Sequence, residues 1–169
     1  MYEAKLYVMA KAPAEQGQHL RACRRTHGLN EHYPPDQFHS TMLNLGRANS
    51  WPPENLGRLK MALAAVEFSP FNVVFDEIDG MLLRGGVGAS VAKAFHHTLW
   101  RAASNCGVEL PLHNFWLHLS LAYKGEGRSR ARIEPIGWRV EEFQLVRSDH
   151  GHTQLGCWRL VDRQYALAL

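Results

Sequence analysis

Phe38-His39-Ser40-Thr41-Met42-Leu43 and Leu117-His118-Leu119-Ser120-Leu121-Ala122 are two versions of one short motif, His-x-Thr/Ser followed by apolar residues. Both lie in strand-forming surroundings, and both follow a proline a few residues upstream, Pro35 and Pro111. Side chains of an extended chain alternate between its two faces. His39 and Thr41 therefore share a face, as do His118 and Ser120, while Leu117, Leu119 and Leu121 turn the other way into a core. The two histidines stand 79 residues apart in a chain of 169. That is about half the chain, and it predicts two similar lobes, each contributing one strand to a shared cleft.

A third match, His96-His97-Thr98-Leu99, is set aside. It lies in a segment where Val91, Phe95, Leu99 and Ala102 recur at helical spacing, which predicts a helix. Residues two apart on a helix point to nearly opposite sides, so His96 and Thr98 cannot serve one site.

Two imidazoles with two hydroxyls on one cleft are the parts needed to move protons around a phosphate ester without a metal. In hydrolysis of a phosphodiester the attacking water must lose a proton while the departing alcohol oxygen gains one. Histidine titrates near neutrality and suits both jobs. The non-bridging oxygens gather charge in the transition state, where the hydroxyls of Thr41 and Ser120 would hold them. Residue types alone do not decide which imidazole is acid and which is base, because the motifs are nearly symmetric.

The pair His39-Ser40-Thr41-Met42 and His118-Leu119-Ser120-Leu121 resembles the two signature tetrapeptides of the 2H phosphoesterase superfamily. The layout as a whole is similar to the bacterial branch named 2′-5′ RNA ligase or RNA 2′,3′-cyclic phosphodiesterase. An opening strand, Lys5-Leu6-Tyr7-Val8-Met9-Ala10, runs into Pro13 and a helix, and Phe143 to Ser148 with Gly156 to Leu160 resembles a closing hairpin. The resemblance implies an α+β fold of two pseudo-symmetric lobes of antiparallel strands, with outer helices around a central cleft, in a single domain over residues 1–169. It implies hydrolysis of RNA 2′,3′-cyclic phosphate ends to 2′-phosphates, with reversible 2′-5′ ligation by the same residues. His39 would be the acid on the 3′ oxygen and His118 the base on water, with no cofactor or metal required.

The sequence departs from the family pattern in two places. Ser120 stands where the family usually has Thr, keeping the hydroxyl but losing the methyl that restrains its rotamer. Tyr123 stands where RNA-directed relatives often place an Arg, and Lys124 supplies the charge one step later, on the opposite strand face. These departures leave a second substrate class in view: a small nucleotide such as an ADP-ribose cyclic phosphate or a cyclic oligonucleotide. A third reading is a binding module that recognises RNA ends without turnover, against which both histidines and both hydroxyls are intact.

Composition agrees with a compact enzyme. With 46% hydrophobic residues in 169 the chain can bury a sizeable core. Cys23, Cys106 and Cys157 are odd in number and scattered, which predicts reduced thiols and a cytoplasmic setting. Met1 to Lys5 leads straight into a strand with no secretion-signal pattern, and no window has the apolar length of a membrane span. A formal charge of +3 favours an anionic partner only mildly. A monomer is expected, since no apolar stripe is left over.

Along the chain, residues 28–36 and 125–130 read as loops beside the cleft. Leu56, Leu59, Leu63 and Val66 predict a helix packed on a sheet. Phe71 to Phe75 and Met81 to Arg84 read as strands, with Gly85-Gly86 as the turn before the His96 helix. Gly137 to Ser148 and Leu155 to Val161 read as strands around an Asp149-His150-Gly151-His152 turn.

Lys124, Arg128, Arg130 and Tyr33 are candidate substrate-binding residues. Arg128, Arg130 and Arg132 alternate, so an extended chain would line them up toward a nucleic-acid backbone, and Tyr33 beside Pro34 would be exposed for stacking. Tyr7 and Phe38 read as core aromatics, and Leu20 to Arg25 as a solvated charged helix face. His113, His150 and His152 lack an accompanying acidic or Cys ligand pattern, so no metal site is expected.

Overall fold

The computed structural model describes residues 3–112 and 114–161. Its first element is strand β1 (Lys5–Lys11), in which Leu6, Val8, Met9 and Ala10 are buried. Pro13, with φ at −59°, ends that strand and opens helix α1 (Ala14–Thr26). Gly28 follows in the left-handed region, a conformation that stops a helix at little steric cost. A short turn at Pro35–Gln37 then delivers the chain to β2 (His39–Arg47).

Helix α2 (Pro53–Ala64) buries Leu59 and Leu63, two members of the expected stripe. Strand β3 (Phe71–Gly80), β4 (Leu82–Arg84) and helix α3 (Ala89–Ser104) come next. They are followed by β5 (His118–Ser120), β6 (Arg128–Val140), β7 (Glu142–Ser148) and β8 (His152–Arg159).

Among the described residues these strands form two four-stranded antiparallel sheets, in the orders β2-β1-β7-β8 and β5-β4-β3-β6. The architecture is α+β, with each motif strand at the edge of its own sheet. The sheets are not the two halves of the chain, however. The sheet holding His39 joins strands from both ends of the sequence, because β7 pairs with β1 on the side opposite β2.

Two expectations change. Gly137 to Ser148 is not one strand: the chain turns at Glu141, leaving β6 with one sheet and β7 with the other. Residues 128–130, read as loop, belong to β6, which pairs with a β3 longer than its apolar run suggested. Phe75 pairs with Ile136 and Glu77 with Arg132, so the extra residues around Pro135 are accommodated as a bulge on an edge strand. A proline has no N–H to give a ladder, and such a site is where a sheet tolerates one.

One apolar cluster runs through both sheets and the helices. Phe95 of α3 is its centre, packing against Phe68, Phe71 and Phe143. Helix α3 buries Ala92, Phe95, His96, Leu99 and Ala103, whereas Val91 is exposed, so the buried face is rotated from the expected stripe. The imidazole of His96 is used structurally: its Nδ1 lies 2.7 Å from the Met42 carbonyl and its ring stacks on Phe115. No helix among the described residues is long and apolar enough to cross a membrane.

The turn into α3 lies hard against β3. A Cβ on Gly88, where φ is +82°, would sit 2.0 Å from the Asn72 carbonyl oxygen. Gly57, exposed within α2, has no such neighbour within 4 Å. Gly88→Ala should therefore cost more than about 1–3 kcal/mol, since strain and a backbone clash add, while Gly57→Ala should stabilise by about 0.5–1 kcal/mol. Urea denaturation of the two variants checks the opposite signs.

Candidate active site

The facing edges of the two sheets are β2 and β5, and the side chain between the two motif residues of β2 ties them together. Ser40, 1% exposed, donates its hydroxyl hydrogen to the His118 carbonyl over 2.7 Å. Alternation then does the rest. With Ser40 turned toward β5, His39 and Thr41 turn into a cavity of about 730 Å³, which His118 and Ser120 also line. Leu117, Leu119 and Leu121 are buried on the opposite side of β5.

Both imidazoles are held in the same manner. His39 Nδ1 lies 2.7 Å from the Gln37 carbonyl, and His118 Nδ1 lies 3.0 Å from the Trp116 carbonyl, in each case the residue two before. A carbonyl only accepts, so Nδ1 carries the hydrogen and Nε2 is the free nitrogen of each ring. The hydroxyls of Thr41 and Ser120 make no hydrogen bond to another described residue, which leaves them available to a ligand.

Beyond these likenesses the two rings sit in different surroundings. His39 is 7% exposed and packs edge-on against His152, with ring centroids 5.0 Å apart. Burial pushes its pKa down to about 4, against a smaller upward pull from the Gln37 carbonyl, and the nearby His152, Lys11 and His118 push the same way as burial. His118 instead stacks on the Trp116 indole, with centroids 4.1 Å apart. Arg84 lies 4.6 Å from the centroid of that same indole.

No family model and no curated protein matches this sequence. Solved structures do match. Escherichia coli LigT in its apo form superposes with a TM-score of 0.69 at 18% identity, over 96% of this chain and 100% of LigT. LigT complexed with 3′-AMP gives 0.72 at 18% identity, over 95% and 99%. TT0787 of Thermus thermophilus gives 0.68 at 22% identity, over 92% and 97%.

The chain has the fold of LigT.

Within this LigT-like fold, the remaining sequence candidates divide. Tyr33 and Lys124 line the cavity with the histidines, while Arg128 and Arg130 do not. Arg128 donates to the carbonyls of His27 and Gly28, closing the loop after α1. Arg130 pairs with Glu77 at 2.7 Å and lines a neighbouring cavity. Tyr33 is not an open stacking platform. Its hydroxyl donates to the Gln37 carbonyl at 2.6 Å and lies 3.1 Å from His39 Nδ1, and burial holds the phenol well above its ordinary pKa. A continuous strand would put Lys124 on the far face, but β5 ends at Ser120 and the chain bends, so Tyr123 and Lys124 both reach the cavity.

Arg24 also departs from its reading as part of a solvated face. It is 1% exposed, lies over the Phe38 ring and donates to the Tyr33 carbonyl at 2.6 Å, fixing the loop that carries Tyr33. Tyr7, read as core, lines the cavity, whereas Phe38 is core.

His150 and His152 line the cavity as well. Among the described residues no group of three or more His, Cys, Asp or Glu side chains is placed to hold a metal ion, and His113 lies outside those residues. His152 reaches His39 because β7 and β8 pair Ser148 with His152. Burial lowers its pKa, Lys11 pushing the same way and Asp36 opposing.

The buried His39 ties stability to pH. Its folded pKa lies below the unfolded value of about 6.5, so between the two the unfolded chain binds more protons. The stability it contributes is present above about pH 6.5 and is lost as pH falls toward 4. His39→Gln should lose less stability than the wild type between pH 7 and about 4.5, read from urea midpoints. Equal losses would show that His39 is not held neutral.

Proposed function

We propose that this chain is a metal-independent phosphodiesterase. It hydrolyses 2′,3′-cyclic phosphate ends of RNA to 2′-phosphates, and the same site run backwards would form a 2′-5′ linkage. The observation that carries the reading is the matched pair of imidazoles. Each is anchored through Nδ1 to the carbonyl two residues earlier, and the two line one cavity with two free hydroxyls.

In the reaction, water oxygen bonds to phosphorus as the bond from phosphorus to O3′ breaks. One imidazole takes the proton of water through Nε2, and the other delivers a proton to O3′. Thr41 and Ser120 donate to the non-bridging oxygens, where charge develops. A base must be unprotonated before it acts, and burial keeps His39 so at neutral pH. This favours His39 as the base and His118 as the donor to O3′, the reverse of the assignment that family resemblance implies. In the ligating direction the roles exchange by microscopic reversibility.

A smaller substrate is the second reading. A cavity of about 730 Å³ is in the range of small-molecule sites. Tyr123 occupies the place where RNA-directed relatives often carry Arg. LigT itself has been solved with 3′-AMP.

Turnover of a nucleoside 2′,3′-cyclic phosphate tests the proposal. His39→Ala and His118→Ala should each lose about 10²-fold or more in rate, with a smaller loss for Thr41→Ala or Ser120→Ala, and a chelator should leave the wild-type rate unchanged. Near wild-type turnover by either histidine variant would overturn the reading. The acid limb of kcat/KM should fall well below pH 6.5, toward the lowered pKa of His39. A limb that does not move below 6.5 would contradict His39 as the base.

A further inference from the structure

A second cavity, of about 600 Å³, adjoins the first at the stack of His118 on Trp116. Sheet register explains why. Arg132 of β6 pairs with Glu77 of β3, Glu77 with Arg84 of β4, and Arg84 with His118 of β5. Directly opposed residues of antiparallel strands share a face. One cross-strand row therefore leads from the site's second histidine across the whole sheet, three strand spacings or about 14 Å.

The chemistry along the row is that of a track for a single-stranded polyanion. Four cations line it, Arg84, Lys93, Arg130 and Arg132, against two carboxylates, Asp76 and Glu77. Each carboxylate is already engaged, Asp76 by Arg132 at 2.5 Å and Glu77 by Arg130 at 2.7 Å. A guanidinium has five N–H donors, so both arginines keep donors to spare. Lys93, on the exposed face of α3, has no ion pair among the described residues. Trp116, 39% exposed at the junction, offers an aromatic surface where the two cavities meet. Cations spaced along a groove with an aromatic at its mouth is how single strands are held without reading sequence.

We propose that this groove binds the nucleotides preceding the cyclic phosphate end, so that the substrate is an oligoribonucleotide rather than a lone cyclic nucleotide. The proposal rests on the phosphodiesterase reading of the first cavity and narrows it. At about 14 Å the row has room for about four stacked nucleotides at about 3.4 Å each, and about two when the strand is fully extended.

The test uses ligands that end in a 2′-phosphate, which no turnover can alter. Calorimetry compares a nucleoside 2′-phosphate with a ribonucleotide trimer carrying the same end. The trimer should bind at least tenfold more tightly, and its affinity should fall more steeply with salt, by about 0.7 in log–log slope for each added phosphate contact. Ser90→Glu and Lys93→Glu change exposed α3 side chains that line this groove and should abolish that advantage while leaving the mononucleotide affinity unchanged. Equal affinity for both lengths, or a length advantage that survives both variants, would overturn the groove. Failure to hydrolyse any cyclic phosphate would instead overturn the reaction and leave the length comparison readable.

Discussion

A single hydroxyl between the two motif residues of β2 sets the geometry on which the site depends. The Ser40 hydroxyl holds the His118 carbonyl at 2.7 Å, and in doing so fixes the edge of one sheet to the edge of the other. An edge strand presents unpaired backbone groups, and here two edges meet where neither strand can continue the other's ladder. A part-buried hydrogen bond of this kind contributes about 1 kcal/mol. Its larger effect is on orientation. Because side chains alternate, a serine pointing across the seam requires the residues on either side of it to point away, into the cavity.

That constraint makes the two imidazoles equivalent in attachment and different in environment. Both give Nδ1 to a carbonyl two residues earlier and keep Nε2 free. His39 lies deep among Tyr33 and His152, where a charge is poorly solvated, while His118 lies on an indole at the boundary between two cavities. The proposed acid–base chemistry asks for two groups in opposite protonation states, and burial holds the His39 ring neutral.

How far the sequence could be read depended on the range of the forces involved. That His39, Thr41, His118 and Ser120 share one cavity is legible because strand alternation is local and the motif occurs twice. Helices α1, α2 and α3 were legible from their apolar spacing and from Pro13 and Gly28. His152 was not, since it reaches His39 only through the pairing of Ser148 with His152 in the β7–β8 hairpin. Arg130 was misplaced for a related reason. Its alternation with Arg128 and Arg132 was correctly read as extended, but the face it occupies is set by the bulge near Pro135 and by Glu77 on β3. Arg24 looked solvated because its neighbours Arg21 and Arg25 are, and its partner, the Tyr33 carbonyl, lies in a loop whose path no local pattern gives.

The central claim is that His39 and His118 offer matching free nitrogens to one phosphorus. Long-range ¹H–¹⁵N correlation of the imidazole nitrogens, recorded before and after adding a nucleoside 2′-phosphate, examines this directly. Both rings should show the hydrogen on Nδ1 in the free protein, and Nε2 of both should shift together along one binding curve. A ring with its hydrogen on Nε2 and none on Nδ1, or a ligand that moves only one of them, would contradict the shared site.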